Sequence, residues 1–438
     1  MPFNCLIMGA AGRDFHDFLT FFRRRPEFVL RAFTATQIPF ISERRFPTAL
    51  AGPEYADGVP IHLEEELPEL IRRYAIDFVF FAYSDIPYAD LMHRQSIAQA
   101  AGASFVVLGP RHTELTASKP VVSVTAVRTG AGKSPLSQHL ALALRSQGKQ
   151  VAVLRHPMPY GNLEKQGVQR FATAADLDLH QCTIEEREEY LPYVEMGVPL
   201  FAGVDYESIL RAAEAEADVI LWDGGNNDLP FVHPDVSIVV ADALRPGHEL
   251  GFYPGEANLR RADIVVVNKV ASAKPEAVKQ VRDNTARVNP GAEVIEADLD
   301  VRVDDGARMA GKRVLLVEDG PTLTHGGMSW GAARVAADRH GAAAIVDPRP
   351  HAVGSIADTF AAYPHLGAVL PALGYSERQR AELTETIRAC APDLVIDGSP
   401  ARIESLSPVP VVRVHYAFAQ QSGRPVAERV IERLGKVG

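Results

Sequence analysis

The sequence predicts an α/β protein with mostly parallel sheets, and three observations carry that expectation. Apolar runs of strand length alternate with helix-period segments from one end to the other. A Gly-rich turn near residue 130 joins a strand directly to a helix. With 47% hydrophobic and 23% charged residues, the composition is that of an ordinary globular protein.

A length of 438 residues suits about three domains of roughly 150 residues each. The first, 1–117, reads as a Rossmann-like unit. Strand 3–8 runs into the turn Gly9-Ala10-Ala11-Gly12 and a helix carrying Phe15, Phe18, Leu19 and Phe22. Further strands are expected at 28–34, 78–82 and 105–108. The GxxG turn is half of a dinucleotide fingerprint, and no acidic residue follows near 34–36, so NAD is not expected. Arg13, at the start of the helix, offers a contact for a phosphate or carboxylate.

A polar stretch at 111–119 precedes Pro120 and a fresh strand, which places a boundary there. The second unit, 118–310, carries strands at 121–126, 150–154, 219–223, 236–240 and 264–267, with a helix at 135–146. The third, 311–438, carries strands at 313–317, 343–346, 394–396 and 409–414. The alternation leaves open whether it is a separate domain or an extension of the preceding sheet.

The formal charge of −10 argues against nucleic acid as a partner, because a phosphate backbone demands a basic face. Cys5, Cys182 and Cys390 form no CxxC pair, which fits a reducing compartment. No stretch approaches the roughly 18 apolar residues that span a bilayer, and the first residues lack the basic start of a leader. A cytoplasmic protein without a membrane partner is expected.

The chemistry concentrates at Thr129-Gly130-Ala131-Gly132-Lys133-Ser134-Pro135, between strand 121–126 and the following helix. Glycines let backbone amides turn inward around phosphates, and the helix N-terminus adds partial positive charge. Lys133 would bridge the β- and γ-phosphates and Ser134 would ligate Mg²⁺. Val127 replaces the first glycine of the eight-residue pattern. Farther along, 217–223 is an apolar strand ending in Asp223 and two glycines, where such a protein needs a carboxylate for the metal shell. Asn268-Lys269 ends strand 264–267 as the base-reading motif of guanine-nucleotide proteins does. Ala271 stands where those carry an aspartate, so ATP is favoured.

Arg128 lies inside the loop, and Arg155 and His156 end the strand after the P-loop helix, on the side where parallel sheets bind ligands. With Arg187, in the charged run 184–190, they supply positive charge for an anionic acceptor. The string 318–328 ends a strand, contains three glycines and offers Thr322, Thr324 and His325 to a ligand.

Taken together, GAAGRDFHDF at 9–18, SKPVVSVTAVRTGAGKS at 118–134, LRHPMPYG at 154–161, EEREEYLPY at 185–193, VILWDGGNND at 219–228 and VEDGPTLTHGGM at 317–328 resemble the cyclic 2,3-diphosphoglycerate synthetase family. The resemblance covers most of the chain in order. It implies a P-loop core related to dimeric ATPases, a homodimer, and ATP with Mg²⁺ as co-reactants. It also implies a ligase that closes 2,3-diphosphoglycerate, a small phosphorylated anion, into a cyclic anhydride and releases ADP and phosphate. Lys133, Arg128 and Asp223 would then steady the γ-phosphoryl group, while Arg155, His156, Arg187 and His325 hold the substrate. A P-loop ATPase or GTPase switch and a small-molecule kinase are the alternatives, since both need the same phosphate site.

Overall fold

The computed structural model describes residues 2–10, 12–36, 44–156, 162–373, 376–400 and 403–436. The motif segment 157–161, Pro-Met-Pro-Tyr-Gly, lies outside the described residues, as does Ala11.

The first six strands form one sheet in the order Arg45–Phe46, Val59–Leu63, Phe28–Ala35, Phe3–Met8, Phe78–Phe81, Ser104–Val107. All neighbours are parallel except the edge strand Arg45–Phe46. Cys5, Ile7, Phe15, Phe18 and Phe33 fill one side and Leu6, Met8, Leu70 and Val79 the other. Both faces of a parallel strand are covered, so Cys5–Met8 reads as an unbroken apolar run.

Phe252–Tyr253 and Ile86–Pro87 form a two-stranded antiparallel ribbon, and thirteen further strands make a second sheet. Its first half runs in the order Gln169–Phe171, Leu200–Ala202, Val151–Arg155, Val219–Asp223, Val121–Ala126, Val236–Asp242, Ile264–Asn268. The second half holds Val411–Gln420, Leu394–Asp397, Arg313–Asp319, Ala344–Ile345 and Leu370–Ala372. The 11-residue strand Glu293–Val303 joins them. Its start lies parallel to Ile264–Asn268, and Ala297–Val303 lie antiparallel to Val411–Gln420. The third segment of the chain is therefore continuous with the P-loop sheet. The sequence reading misses Glu293–Val303, because Glu293, Glu296, Asp298 and Asp300 interrupt its apolar residues and make it look like a surface loop. Val59–Leu63 is missed as well, and the strand expected at 409–414 runs instead from Val411 to Gln420.

Among the described residues no helix is long and apolar enough to cross a membrane. All three cysteines are free and buried.

Candidate functional site: a P-loop chamber

Strand Val121–Ala126 is buried at every residue, and helix Lys133–Ser146 starts directly after Gly132. The helix turns Leu136, Leu140, Ala141 and Leu144 onto the sheet, the spacing of one helical face. The turn between them needs glycine twice. Gly130 and Gly132 have φ of +75° and +105°, which L side chains rarely adopt. A Cβ on Gly130 would overlap Thr322, and one on Gly132 would overlap Asn268. The loop is thus enclosed by later parts of the chain.

Asp223 is the charged centre of the site. Register places it beside Val124 on one side and Arg155 on the other. Lys133 Nζ donates to its Oδ1 at 2.5 Å and Ser137 Oγ at 3.0 Å. Arg155 Nη1 donates to Oδ2 at 2.5 Å and Tyr193 at 2.7 Å. Burial opposes the charge, yet Arg155 and Lys133 overcome it and hold the carboxylate at about 2. Burial, with the neighbouring Arg155, pulls the Lys133 ammonium below its usual range.

The ends of neighbouring strands brace the loop. Asn268 Nδ2 donates to the Ala131 carbonyl at 2.8 Å, and Lys269 Nζ to the Gly130 carbonyl at 2.6 Å and Asp242 at 2.9 Å. Both side chains are directed at the P-loop backbone, a role the base-reading motif does not suggest. Arg245 pairs with Asp242 at 2.6 Å, donates to the Thr129 carbonyl at 2.8 Å and also reaches the Gly326 carbonyl. Asp85, from the first sheet, accepts from Thr129 N at 2.9 Å, Thr129 Oγ1 at 2.5 Å and Arg128 Nε at 2.6 Å.

Arg128 is therefore a keystone. Besides Asp85 it donates to His248 Nδ1 at 2.7 Å and the His325 carbonyl at 2.8 Å, and its guanidinium lies 3.7 Å from the centre of the Phe252 ring. Burial and the Arg128 charge push His248 down to about 4, so it accepts from the guanidinium as a neutral ring.

His156 sits at the inner end of the site, its Nδ1 3.1 Å from Asp228 Oδ2, with both side chains buried. Gly12 and Gly225 leave room for the ring, since a Cβ on either would overlap it. Arg13 does not face a ligand as the sequence suggests. It is 4% exposed and donates to the Leu229 carbonyl at 2.8 Å and Thr113 Oγ1 at 3.1 Å, which turns it inward as a tie to later parts of the chain. Asp14 Oδ1 caps its own helix, accepting from Gly12 N at 3.0 Å and Phe15 N at 2.8 Å. A carboxylate thus takes the place where a dinucleotide would rest its pyrophosphate.

These groups border one cavity of about 1950 Å³, shared by both sheets. Arg187 and His325 also line it. Arg187 is paired with Asp178 at 2.5 Å, and Arg155 Nε with Glu189 at 2.8 Å. His325 is exposed, with Nδ1 3.1 Å from Thr324 Oγ1. Arg128, Lys133, Arg155 and Arg187 are thus each matched by a carboxylate. The walls carry both signs of charge, with Glu188, Glu189, Glu195, Asp300, Glu318 and Asp319 beside Arg339, Arg380 and Arg413. Burial raises Glu318 to about 7 against the pull of three backbone N–H groups at the start of helix Ala332–Arg339.

Asp85, Asp228, Asp242 and Arg245 escape the sequence reading. Asp85 and Asp242 end or follow apolar strands, the same signal that singles out Asp223. Among the described residues no group of three or more His, Cys, Asp or Glu side chains gathers as a metal site. Ser134 and the anionic Asp223 fit a Mg²⁺ that takes its remaining ligands from nucleotide and water, as that ion prefers.

No family model matches the chain. Its fold is similar to LpxK from Aquifex aeolicus in complex with ATP, at 12% identity, covering 74% of this chain and 90% of that one with a TM-score of 0.42. It is also similar to the hydrogenase maturation factor HypB from Archaeoglobus fulgidus, at 16% identity, covering 41% and 81% with a TM-score of 0.27. The arginine synthetase ArcE of Thermococcus kodakarensis is 54% identical over 433 residues, which is 98% of this chain and 96% of that protein. With that identity from end to end and its P-loop core, the protein belongs to the ArcE family.

Proposed function

We propose that the protein is an ATP-dependent, Mg²⁺-assisted synthetase that makes arginine from its ureido counterpart, citrulline, and a nitrogen nucleophile. The observation that carries this reading is the end-to-end identity of 54% to an arginine synthetase in a chain with a P-loop site. The carboxylates among the chamber walls suit a substrate that becomes a guanidinium cation. The name of the 54% identical relative supports the same product.

The chemistry balances as two displacements. The ureido oxygen attacks the γ-phosphorus of ATP, a new P–O bond forms and the bond to ADP breaks. The nitrogen then adds to the activated carbon, phosphate leaves with the former ureido oxygen, and a proton is released. Lys133 leaves Asp223 for the β- and γ-phosphates, while Arg155 keeps Asp223 charged. Mg²⁺ at Ser134 and Asp223 would neutralise phosphate charge. Glu189, Glu318 and Asp319 favour the positive charge that grows on the substrate carbon. His156, oriented by Asp228, is the base placed to take the released proton.

Closure of 2,3-diphosphoglycerate into its cyclic anhydride is the second reading, and it rests on the motifs at 9–18, 118–134 and 317–328. That substrate would have to draw Arg155 and Arg187 away from Glu189 and Asp178. One experiment separates the two. Protein with ATP and Mg²⁺ is given citrulline and ammonium, or 2,3-diphosphoglycerate, and products are followed by amino-acid analysis and phosphorus NMR. Arginine formed in step with ADP supports the first reading; a cyclic phosphoanhydride resonance would replace it with the second.

A further inference from the structure

The last third of the chain has its own ligand crevice. From Arg313–Asp319 the chain goes to Ala344–Ile345 and Leu370–Ala372 on one side, then returns to Leu394–Asp397 on the other. Parallel sheets bind ligands beyond the carboxyl ends of strands where the winding reverses in this way. Asp319, Gly398, Ser399, Arg413 and Tyr416 border the cavity there, and helix Glu377–Cys390 adds Arg380. The Thr322 hydroxyl donates to Asp319 at 2.5 Å, and a Cβ on Gly130 would overlap Thr322, so the crevice adjoins the phosphate site.

Charge changes sign across this crevice. Asp319 stands at the phosphate side. Val317, Asp397 and Arg413 are in register on three neighbouring strands. At roughly 5 Å per strand, the Arg413 backbone lies about 10 Å from that of Val317. The Arg413 side chain is 19% exposed and meets Glu404 at 3.1 Å and Asp397 at 3.6 Å, both through Nη1. One helical turn beyond Arg380, Thr384 donates to the Leu406 carbonyl at 2.8 Å, which lays the helix over the loop after Leu394–Asp397. The exposed Arg380 guanidinium makes no hydrogen bond or ion pair among the described residues. Tyr416 has Asp319, Glu318, Glu188 and Arg413 as charged neighbours; burial, then Asp319, pushes its phenol up, so it stays a hydroxyl able to donate. An acid beside the phosphate site and two guanidinium groups across the crevice suit a ligand that becomes cationic at one end and carries a carboxylate at the other. The planar guanidinium fork matches a carboxylate, and the separation is that of an extended amino-acid side chain.

We propose that this crevice binds the carboxylate end of the substrate, on Arg413 and Arg380, while the ureido end lies at Asp319 beside the P-loop. This inference rests on the arginine-synthesis reading. It assigns recognition of the amino acid to the last third of the chain and recognition of the nucleotide to the P-loop half.

The test compares wild type with Arg380→Gln and Arg413→Lys, after melting temperatures establish that both variants fold. Arg380→Gln removes no contact among the described residues. KM for citrulline and KM for ATP are measured separately, together with turnover of N-carbamoylputrescine, which is citrulline without its carboxylate. Each variant is expected to raise the citrulline KM by about tenfold or more, the effect of losing a hydrogen bond to a charged group, and to leave the ATP KM in place. Wild type should strongly prefer citrulline over N-carbamoylputrescine, and Arg380→Gln should lose most of that preference. An unchanged citrulline KM in both folded variants, or a preference that Arg380→Gln keeps in full, would overturn the subsite while the synthetase reading stands. Wild type that makes no arginine at all would overturn the synthetase reading and this inference with it.

Discussion

Asp85 and Thr129 join the two sheets at the phosphate site: the Asp85 carboxylate accepts both the backbone N–H of Thr129, at 2.9 Å, and its hydroxyl, at 2.5 Å. A P-loop residue is therefore positioned by a carboxylate that follows a strand of the other sheet. The same carboxylate neutralises Arg128, which is 5% exposed. Asp85→Ala should weaken binding of a non-hydrolysable ATP analogue by about tenfold, as expected for loss of charge-assisted hydrogen bonds. Calorimetric titration checks this, and an unchanged affinity would show that the first sheet does not shape the loop.

Lys133→Ala removes the P-loop ammonium placed for the transferring phosphoryl group. Turnover should fall by about 10²-fold or more, the cost of losing one such stabilising contact. The fold should persist, because Arg155, Ser137 and Tyr193 still satisfy Asp223. Single-turnover release of labelled phosphate, beside a circular dichroism spectrum, measures both.

Asp223→Ala is the opposite case. It strands Lys133 and Arg155 without their shared counter-charge, and breaking a buried pair from one side costs about 3–5 kcal/mol. Urea unfolding should shift to lower denaturant, and the loss should exceed that of Lys133→Ala.

Asp17 supplies a pH dependence. Burial raises its carboxyl to about 7, although Arg13 lies 3.6 Å away. The folded state therefore keeps a proton that the unfolded chain releases near its ordinary value of about 4. Stability from this group falls as pH rises through the window between those values and levels off above about 7. Asp17→Asn removes that slope, so its melting temperature relative to wild type should be more favourable at pH 8 than at pH 5. A constant difference across this range would show that Asp17 is charged throughout.

The phosphate site was legible because its chemistry is local: Gly130, Gly132, Lys133 and Ser134 are contiguous, and a strand and a helix flank them. Asp223 was legible as a strand-end carboxylate. The partners that fix their state were not, because Asp85, Asn227 and Arg245 reach Thr129 only through folding. Charge misled for the same reason. Arg128, Arg155 and Arg187 read as a basic patch, while the carboxylates of Asp85, Glu189 and Asp178 that meet them lie elsewhere in the chain. The substrate end of the chamber depends on such pairings, so the sequence pointed to an anion where the assembled walls carry both signs of charge.

The long strand Glu293–Val303 also sets how the parts of the molecule are joined. It welds the P-loop half and the last third of the chain into one plate through continuous backbone pairing on both its edges. The first sheet is attached to that plate by the short pairing of Phe252–Tyr253 with Ile86–Pro87, the single bridge between Leu115 and Val232, and side-chain ties such as Arg13. The plate is therefore held together by main-chain pairing, whereas the first sheet is held to it by short pairings and by side chains such as Asp85 on Thr129.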